Sequence, residues 1–122
     1  MKPLLHARSS ARKWGGTWED YIDIHNFFDS TKSAFPDMRH RLILHSSFGI
    51  YIAERVFSVV ITNSIGKQIS VRDIGEQHVI EDIGFIPTLD RWLKHVPKEA
   101  WMFGHEVGAG SKNKFISFDN LD

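Results

Sequence analysis

The stretch that decides the fold is TWEDYIDIHNFFDSTKS (17–33), followed by Ala34 and Phe35 and then by PDMRHRLILHSSFGIYIAERVF (36–57). Gly15-Gly16 interrupts whatever precedes it, and Thr17 with Asp20 three residues on has the form of a capping box. At roughly 100° per residue, Trp18, Tyr21, Ile22, His25, Phe28 and Asp29 share one apolar stripe. The second segment opens at Pro36, a residue suited to a first helical turn. Its apolar positions Met38, Leu42, Gly49, Ile52 and Val56 recur at helical spacing to about Phe57. A two-residue connection between such helices favours an antiparallel αα-hairpin.

Three polar side chains interrupt these stripes: His25 and Asp29 on the first helix and His45 at the centre of the second. A titratable group on an apolar face must be hydrogen-bonded, ion-paired or metal-bound. His25 and Asp29 are neighbours at i,i+4. His25 lies ten positions before Phe35 and His45 ten after it, and Asp29 and Arg41 lie six positions either side. The hairpin therefore predicts that His25, Asp29 and His45 converge, with Arg41 at the margin. His40 is assigned to the opposite face with Ser47, Tyr51 and Glu54.

Beyond Phe57 the period changes. Ser58–Thr62 and Gln68–Arg72 are β-branched runs flanking Asn63–Lys67, a β-hairpin signal with Gly66 at a positive-φ position. A short helix follows from Asp73 or Gly75 to Ile83, stopped by Gly84, and another opens at Pro87-Thr88 and closes at Pro97. The expected class is α+β: an N-terminal αα-hairpin, a central β-hairpin and two short C-terminal helices in a single domain, 1–103. Residues 104–122, rich in Gly, Ser, Asn and Lys around Phe115–Phe118, read as a C-terminal extension or an edge strand.

The chain of 122 residues, 42% hydrophobic and 25% charged, can bury a core without disulfides. It has no cysteine, which excludes thiolate metal sites and cysteine nucleophiles and fits a reducing compartment. The N-terminal residues lack the apolar run of a signal peptide, and nothing approaches a membrane span, so the expected location is cytoplasmic. Net charge is zero, which argues against sequence-specific nucleic-acid binding. The signs are nevertheless segregated: Lys2, Arg8, Arg12 and Lys13 open the chain without an acid, whereas Asp73, Glu76, Glu81, Asp82 and Asp90 form a wholly acidic block.

His78 and Asp82 repeat the i,i+4 spacing of His25 and Asp29, with Glu81 beside them. Imidazole and carboxylate ligands suit divalent zinc, manganese or iron, and a bound ion would lower the pKa of a coordinated water. The candidate ligands are His25, Asp29 and His45, with His78 and His6 as additions. Asp29 and Arg41 are the candidate catalytic pair, and Arg8, Arg12 and Trp14 the candidate contacts to an anionic substrate. The plainer alternatives are buried hydrogen bonds for the first histidines, a solvated face for His78 and Asp82, and water-facing charges for the basic opening. Arg39-His40-Arg41 sits unfavourably against a helix dipole and calls for an anionic partner, with Asp29, Asp37 and the acidic block as candidates. No phosphate loop, nucleophile elbow or nucleotide-binding fingerprint is present.

Several runs carry a resemblance: His6–Ser10 to Lys13–Gly16, Glu19-Asp20-Tyr21 to Ile24-His25, Phe28-Asp29, Arg39-His40-Arg41 with His45, and Gly75–Val79 through Glu81-Asp82 to Ile86-Pro87-Thr88. Over residues 6–102 the chain resembles a small domain family of bacteria and phages without an established activity. The resemblance implies a compact single domain of phage origin and supplies no catalytic role.

The leading expectation is a small metal-binding protein, acting if catalytic as a metal-dependent hydrolase on a phosphoester or other anionic substrate. A second is a non-enzymatic module that captures a nucleotide or a host protein. A third is an oligomeric scaffold.

Overall fold

The computed structural model describes residues 1–104. Among these residues six α-helices are present: α1 (Pro3–Trp14), α2 (Ile22–Phe28), α3 (Arg41–Leu44), α4 (Ser47–Phe57), α5 (Val71–Ile83) and α6 (Leu89–Leu93). Strands β1 (Val60–Thr62) and β2 (Gln68–Ser70) form an antiparallel pair with Ile61 opposite Ile69. The architecture is α+β, with N-terminal helices and a central hairpin as expected. No helix among the described residues is long and apolar enough to cross a membrane.

The helix expected over 17–33 is divided. Thr17 and Asp20 form the capping box, the Asp20 carboxylate accepting from Thr17 N at 2.9 Å, but they cap only a 3₁₀ turn (Trp18–Asp20). The α-helix proper begins at Ile22, and a second 3₁₀ turn, Ser30–Ser33, follows it. The inward positions still fall where the stripe put them: Tyr21, His25, Phe28 and Asp29 are buried, joined by Ile24. Trp18 is not among them.

The second helix departs further from expectation. It breaks at His45-Ser46, where Ser46 adopts extended backbone and its hydroxyl accepts from Gly49 N at 3.1 Å, capping α4. The break is held by tertiary contacts: Ser47 N donates to Pro87 O at 2.9 Å, and the Trp92 indole donates to the freed His45 carbonyl at 2.9 Å. Gly49 is required because a Cβ there would stand 1.9 Å from the Leu44 carbonyl oxygen. A break resets the helical phase. Met38 and Val56, expected inside, are exposed, and Ile50 and Ala53 take the buried positions instead.

The hairpin turn holds Gly66 at φ 82°, as read from the sequence. Strand β2 ends earlier than expected, because Ser70 caps α5 by accepting from Asp73 N, so Val71 opens the helix. Gly84 ends α5 in the left-handed conformation, and Thr88 caps α6. Helix α5 packs against α1, α2 and α4 and buries Val71, Ile74, Gly75, Gln77, His78 and Val79, so polar and apolar side chains alike face the interior. The core is Ala7, Tyr21, Ile24, Phe28, Leu44, Ile50, Ala53, Ile69, Val71, Ile74 and Val79. The reading of Phe115–Phe118 as a tail or edge strand lies outside the described residues.

Candidate metal centre

Five histidines, His6, His25, His40, His45 and His78, are buried against the apolar core together with Asp29. They arrive from separate places: His6 from α1, His25 from α2, Asp29 just after it, His40 from a 3₁₀ turn (Met38–His40), His45 from the α3–α4 break, and His78 with Asp82 from α5. His78 stands at the middle, with Phe28 stacked on its ring at 5.0 Å. The expectation that His78 and Asp82 form a solvated face is therefore overturned: their side chains are 0% and 1% exposed.

On one side of His78 the rings lie nearly parallel. His6 and His78 stack at 3.9 Å and 28°, and His25 and His78 are inclined by 20°. Lone pairs of imidazole lie in the ring plane, so stacked rings do not aim them at a common point. Although nitrogens of His6, His25 and His78 lie within 4.8 Å of one another, this trio is a hydrogen-bonded stack. His25 Nδ1 meets His78 Nδ1 at 2.9 Å, and Ser10 Oγ lies 2.7 Å from His25 Nε2. Burial, with repulsion from His78 and His6, pushes the His25 pKa down to about 2. His6 places Nδ1 2.8 Å from Glu81 Oε1 and Nε2 3.0 Å from Asp82 Oδ1. Glu81 also accepts from Ser9 and Gln77; these bonds and His6 outweigh burial and lower its pKa.

On the other side the rings cross. His45 is inclined to His78 by 65° and to His40 by 87°. Here four donor atoms, from Asp29, His45, His78 and Asp82, lie within 4.8 Å of one another. His78 Nε2 is 3.5 Å from Asp29 Oδ1 and 3.3 Å from Asp82 Oδ2. His45 Nε2 is 3.7 Å from Asp29 Oδ1 and 2.8 Å from Asp82 Oδ2. Donors bound ~2.0–2.2 Å from a tetrahedral ion stand ~3.3–3.6 Å apart; the two separations from His78 fall in that range, His45 to Asp29 is slightly longer, and His45 to Asp82 is a hydrogen-bond distance. Asp29 Oδ1 and His78 Nε2 are buried without a hydrogen-bond partner, close enough for ion pairing but misaligned for hydrogen bonding. Such orphaned atoms are rare in native interiors, and a water or an ion seated between two of them is one way they are satisfied.

The electrostatics agree with that geometry. Burial opposes ionisation of Asp29 and Asp82, yet the surrounding imidazoles hold both carboxyls below the ordinary range. Burial lowers the His45 pKa, whereas the two carboxylates overcome burial at His78 and raise it. Negative charge therefore collects on Asp29 and Asp82, deep in the protein.

The expected convergence is only partly realised. Asp29 and His45 meet, but His25 stands behind His78 and faces Ser10. His40, assigned from helical phase to the far face, instead lies with Nε2 3.6 Å from Asp29 Oδ1, because the chain has no continuous helix from Pro36 to Phe57 to carry that phase. Its Nδ1 contacts the Asp37 carbonyl at 2.8 Å. Arg41 has its Nε buried without a hydrogen-bond partner, and among the described residues its side chain makes no hydrogen bond or ion pair with the cluster. Arg39 is answered by Asp37 at 2.9 Å.

Arg8 and Arg12 are exposed on α1, and Trp14 packs against Tyr21 with Lys13 over its ring. The cavity beside Trp14, of about 280 Å³, is lined by Asp73, Glu76 and Glu81 as well as Lys13, a poor setting for an anion. Ser10, Gln77 and His40 were not read from the sequence as site residues. Ser10 lies one turn after His6 on the same face, and that i,i+4 pairing was the available signal.

The fold and cluster thus define an α+β domain organised around a buried imidazole–carboxylate centre. The chain belongs to the family described as Domain of unknown function (DUF6915), whose model matches residues 1–102. No curated protein and no solved structure matches it.

Proposed function

We propose that this protein binds one divalent transition-metal ion through Asp29 Oδ1, His45 Nε2, His78 Nε2 and Asp82 Oδ2. The observation that carries this reading is the pair of orphaned buried atoms, Asp29 Oδ1 and His78 Nε2, facing each other at 3.5 Å. A cation satisfies both at once and neutralises the charge gathered there. Two imidazoles and two carboxylates suit zinc, iron or manganese. The donors come from three parts of the chain, so an ion would tie the end of α2, the α3–α4 break and α5 together.

A hydrolytic role is the second reading. An ion that prefers six ligands would keep two positions for water or an anionic substrate beyond these four donors, and would supply a nucleophile by lowering the pKa of bound water. Elemental analysis of protein purified without a histidine tag tests the first reading. We expect about one ion per chain, and a metal-free preparation that stays so after incubation with zinc, manganese and ferrous iron would overturn it. Metal-dependent hydrolysis of p-nitrophenyl phosphate or bis(p-nitrophenyl) phosphate, lost in Asp82→Asn, would establish the second.

A further inference from the structure

Building on the proposed ion, we infer that Ser10 and His25 are positioning residues that fix which nitrogen His78 presents to the metal. The inference follows from the direction of a chain of hydrogen bonds. Gln77 Nε2 donates to the His6 carbonyl at 3.1 Å and to Glu81 Oε1 at 2.9 Å, and both can only accept. The amide orientation is thereby set, and Gln77 Oε1 must be an acceptor.

Ser10 has one hydroxyl proton. Its neighbours include Gln77 Oε1 at 2.9 Å and the His6 carbonyl at 3.2 Å, which are acceptors with no proton to offer. Gln77 Oε1 has no other donor among the described residues, so the Ser10 proton goes there rather than to His25, and Ser10 Oγ is left to accept from His25 Nε2–H at 2.7 Å. A neutral imidazole carries one proton, so His25 Nδ1 is a bare acceptor. The short contact of 2.9 Å then requires His78 Nδ1–H to donate to it. His78 Nε2, on the opposite edge of the ring, is left to face Asp29 and Asp82 as the ligating atom.

His40 follows the same rule by a simpler route, since its Nδ1–H donates to the Asp37 carbonyl and its Nε2 faces Asp29. Outer hydrogen bonds of this kind commonly orient metal-bound histidines, and losing one costs about 10–100-fold in metal affinity. At His78 the orienting partner is another histidine, so the tautomer is passed through two rings and anchored by a serine.

The test reads proton positions directly. In ¹⁵N spectra of the histidine side chains of metal-free protein, we expect His25 to carry its proton on Nε2 and His78 to carry one on Nδ1. A proton on His25 Nδ1 would overturn the inference whether or not the protein binds metal. If the tautomers are as stated but zinc does not bind, the metal reading fails by itself.

Ser10→Ala removes the acceptor and frees His25 to reverse. We expect its ¹⁵N pattern to invert and zinc affinity to fall about 10–100-fold. Gln77→Leu perturbs the same buried spot but leaves the His6 carbonyl to take the Ser10 proton, so the His25 pattern should persist. Equal changes in the two variants, or no change in Ser10→Ala, would overturn the assignment.

Discussion

Asn63 and Asp29 are both buried polar residues, and the protein treats them in opposite ways. Asn63 accepts from Ile65 N at 3.2 Å and Lys67 N at 2.9 Å, and its amide donates to the Tyr21 hydroxyl at 3.2 Å and the Trp14 carbonyl at 3.4 Å. Its side chain is complete, and it locks the hairpin turn to the end of α1. Asp29 instead keeps one oxygen bare with imidazole nitrogens of His40, His45 and His78 around it at 3.5–3.7 Å. A polar group satisfied by its own protein has a structural task. One that faces imidazole nitrogens without hydrogen-bonding to them is left open to an ion of the kind proposed.

The strongest way to break this contrast is Gly49→Ala, because the new Cβ would meet the Leu44 backbone at 1.9 Å. The α3–α4 break cannot then close as it does, and His45 moves with it. We expect a loss of about 3 kcal/mol or more in urea unfolding, together with loss of zinc binding, while the Asn63 turn keeps its amide exchange protection.

Next in size is the ion itself. At a free zinc concentration of 100 Kd the wild-type protein should gain about 2.7 kcal/mol, read as a higher Tm. Asp29→Asn and His78→Gln should gain nothing. Because protons compete with the ion for the same lone pairs, the gain should shrink as pH falls. A gain that persists unchanged in both variants would place the ion elsewhere.

Asn63→Ala should cost about 2 kcal/mol, since it leaves buried groups of the turn and the Tyr21 hydroxyl short of partners. Its zinc affinity should match wild type, which is the sharpest separation of the two regions. The smallest expected effect is Trp92→Phe, which removes one hydrogen bond to the His45 carbonyl and should cost about 1 kcal/mol. A larger loss of zinc affinity than of stability there would show that α6 sets the position of His45.

The contrast also explains what could be read from the sequence. Tyr21, His25, Phe28 and Asp29 were legible as an inward stripe because local periodicity survives even where the helix shortens. Gly66 and Gly84 were legible because their backbone conformations favour glycine. The α3–α4 break was not, because it depends on the Pro87 carbonyl and on the Trp92 indole, which lies 47 residues beyond His45. Its signal, Ser46 three residues before Gly49, becomes meaningful only with those partners in place. His40 and the stripe of Met38 and Val56 were misassigned for the same reason.

His78 was legible as an additional ligand but not as the centre of the cluster. Its helix looks acidic, and the sequence offers no sign that α1 and α2 bring His6, Ser9, Ser10 and His25 down onto that helix. Ser10 and Gln77 are ordinary residues whose importance lies in the direction of one proton.

The site is also stretched along the chain: His6 finds Glu81 only 75 residues later. At a synthesis rate of about 5–20 residues per second, α1 leaves the ribosome some 4–15 seconds before its partners exist. During that interval His6 lacks Glu81 and Asp82, and the proposed shell lacks His78 and Asp82. The proposed centre can assemble only when α5 arrives, which would make ion capture a late event that reports completion of the domain.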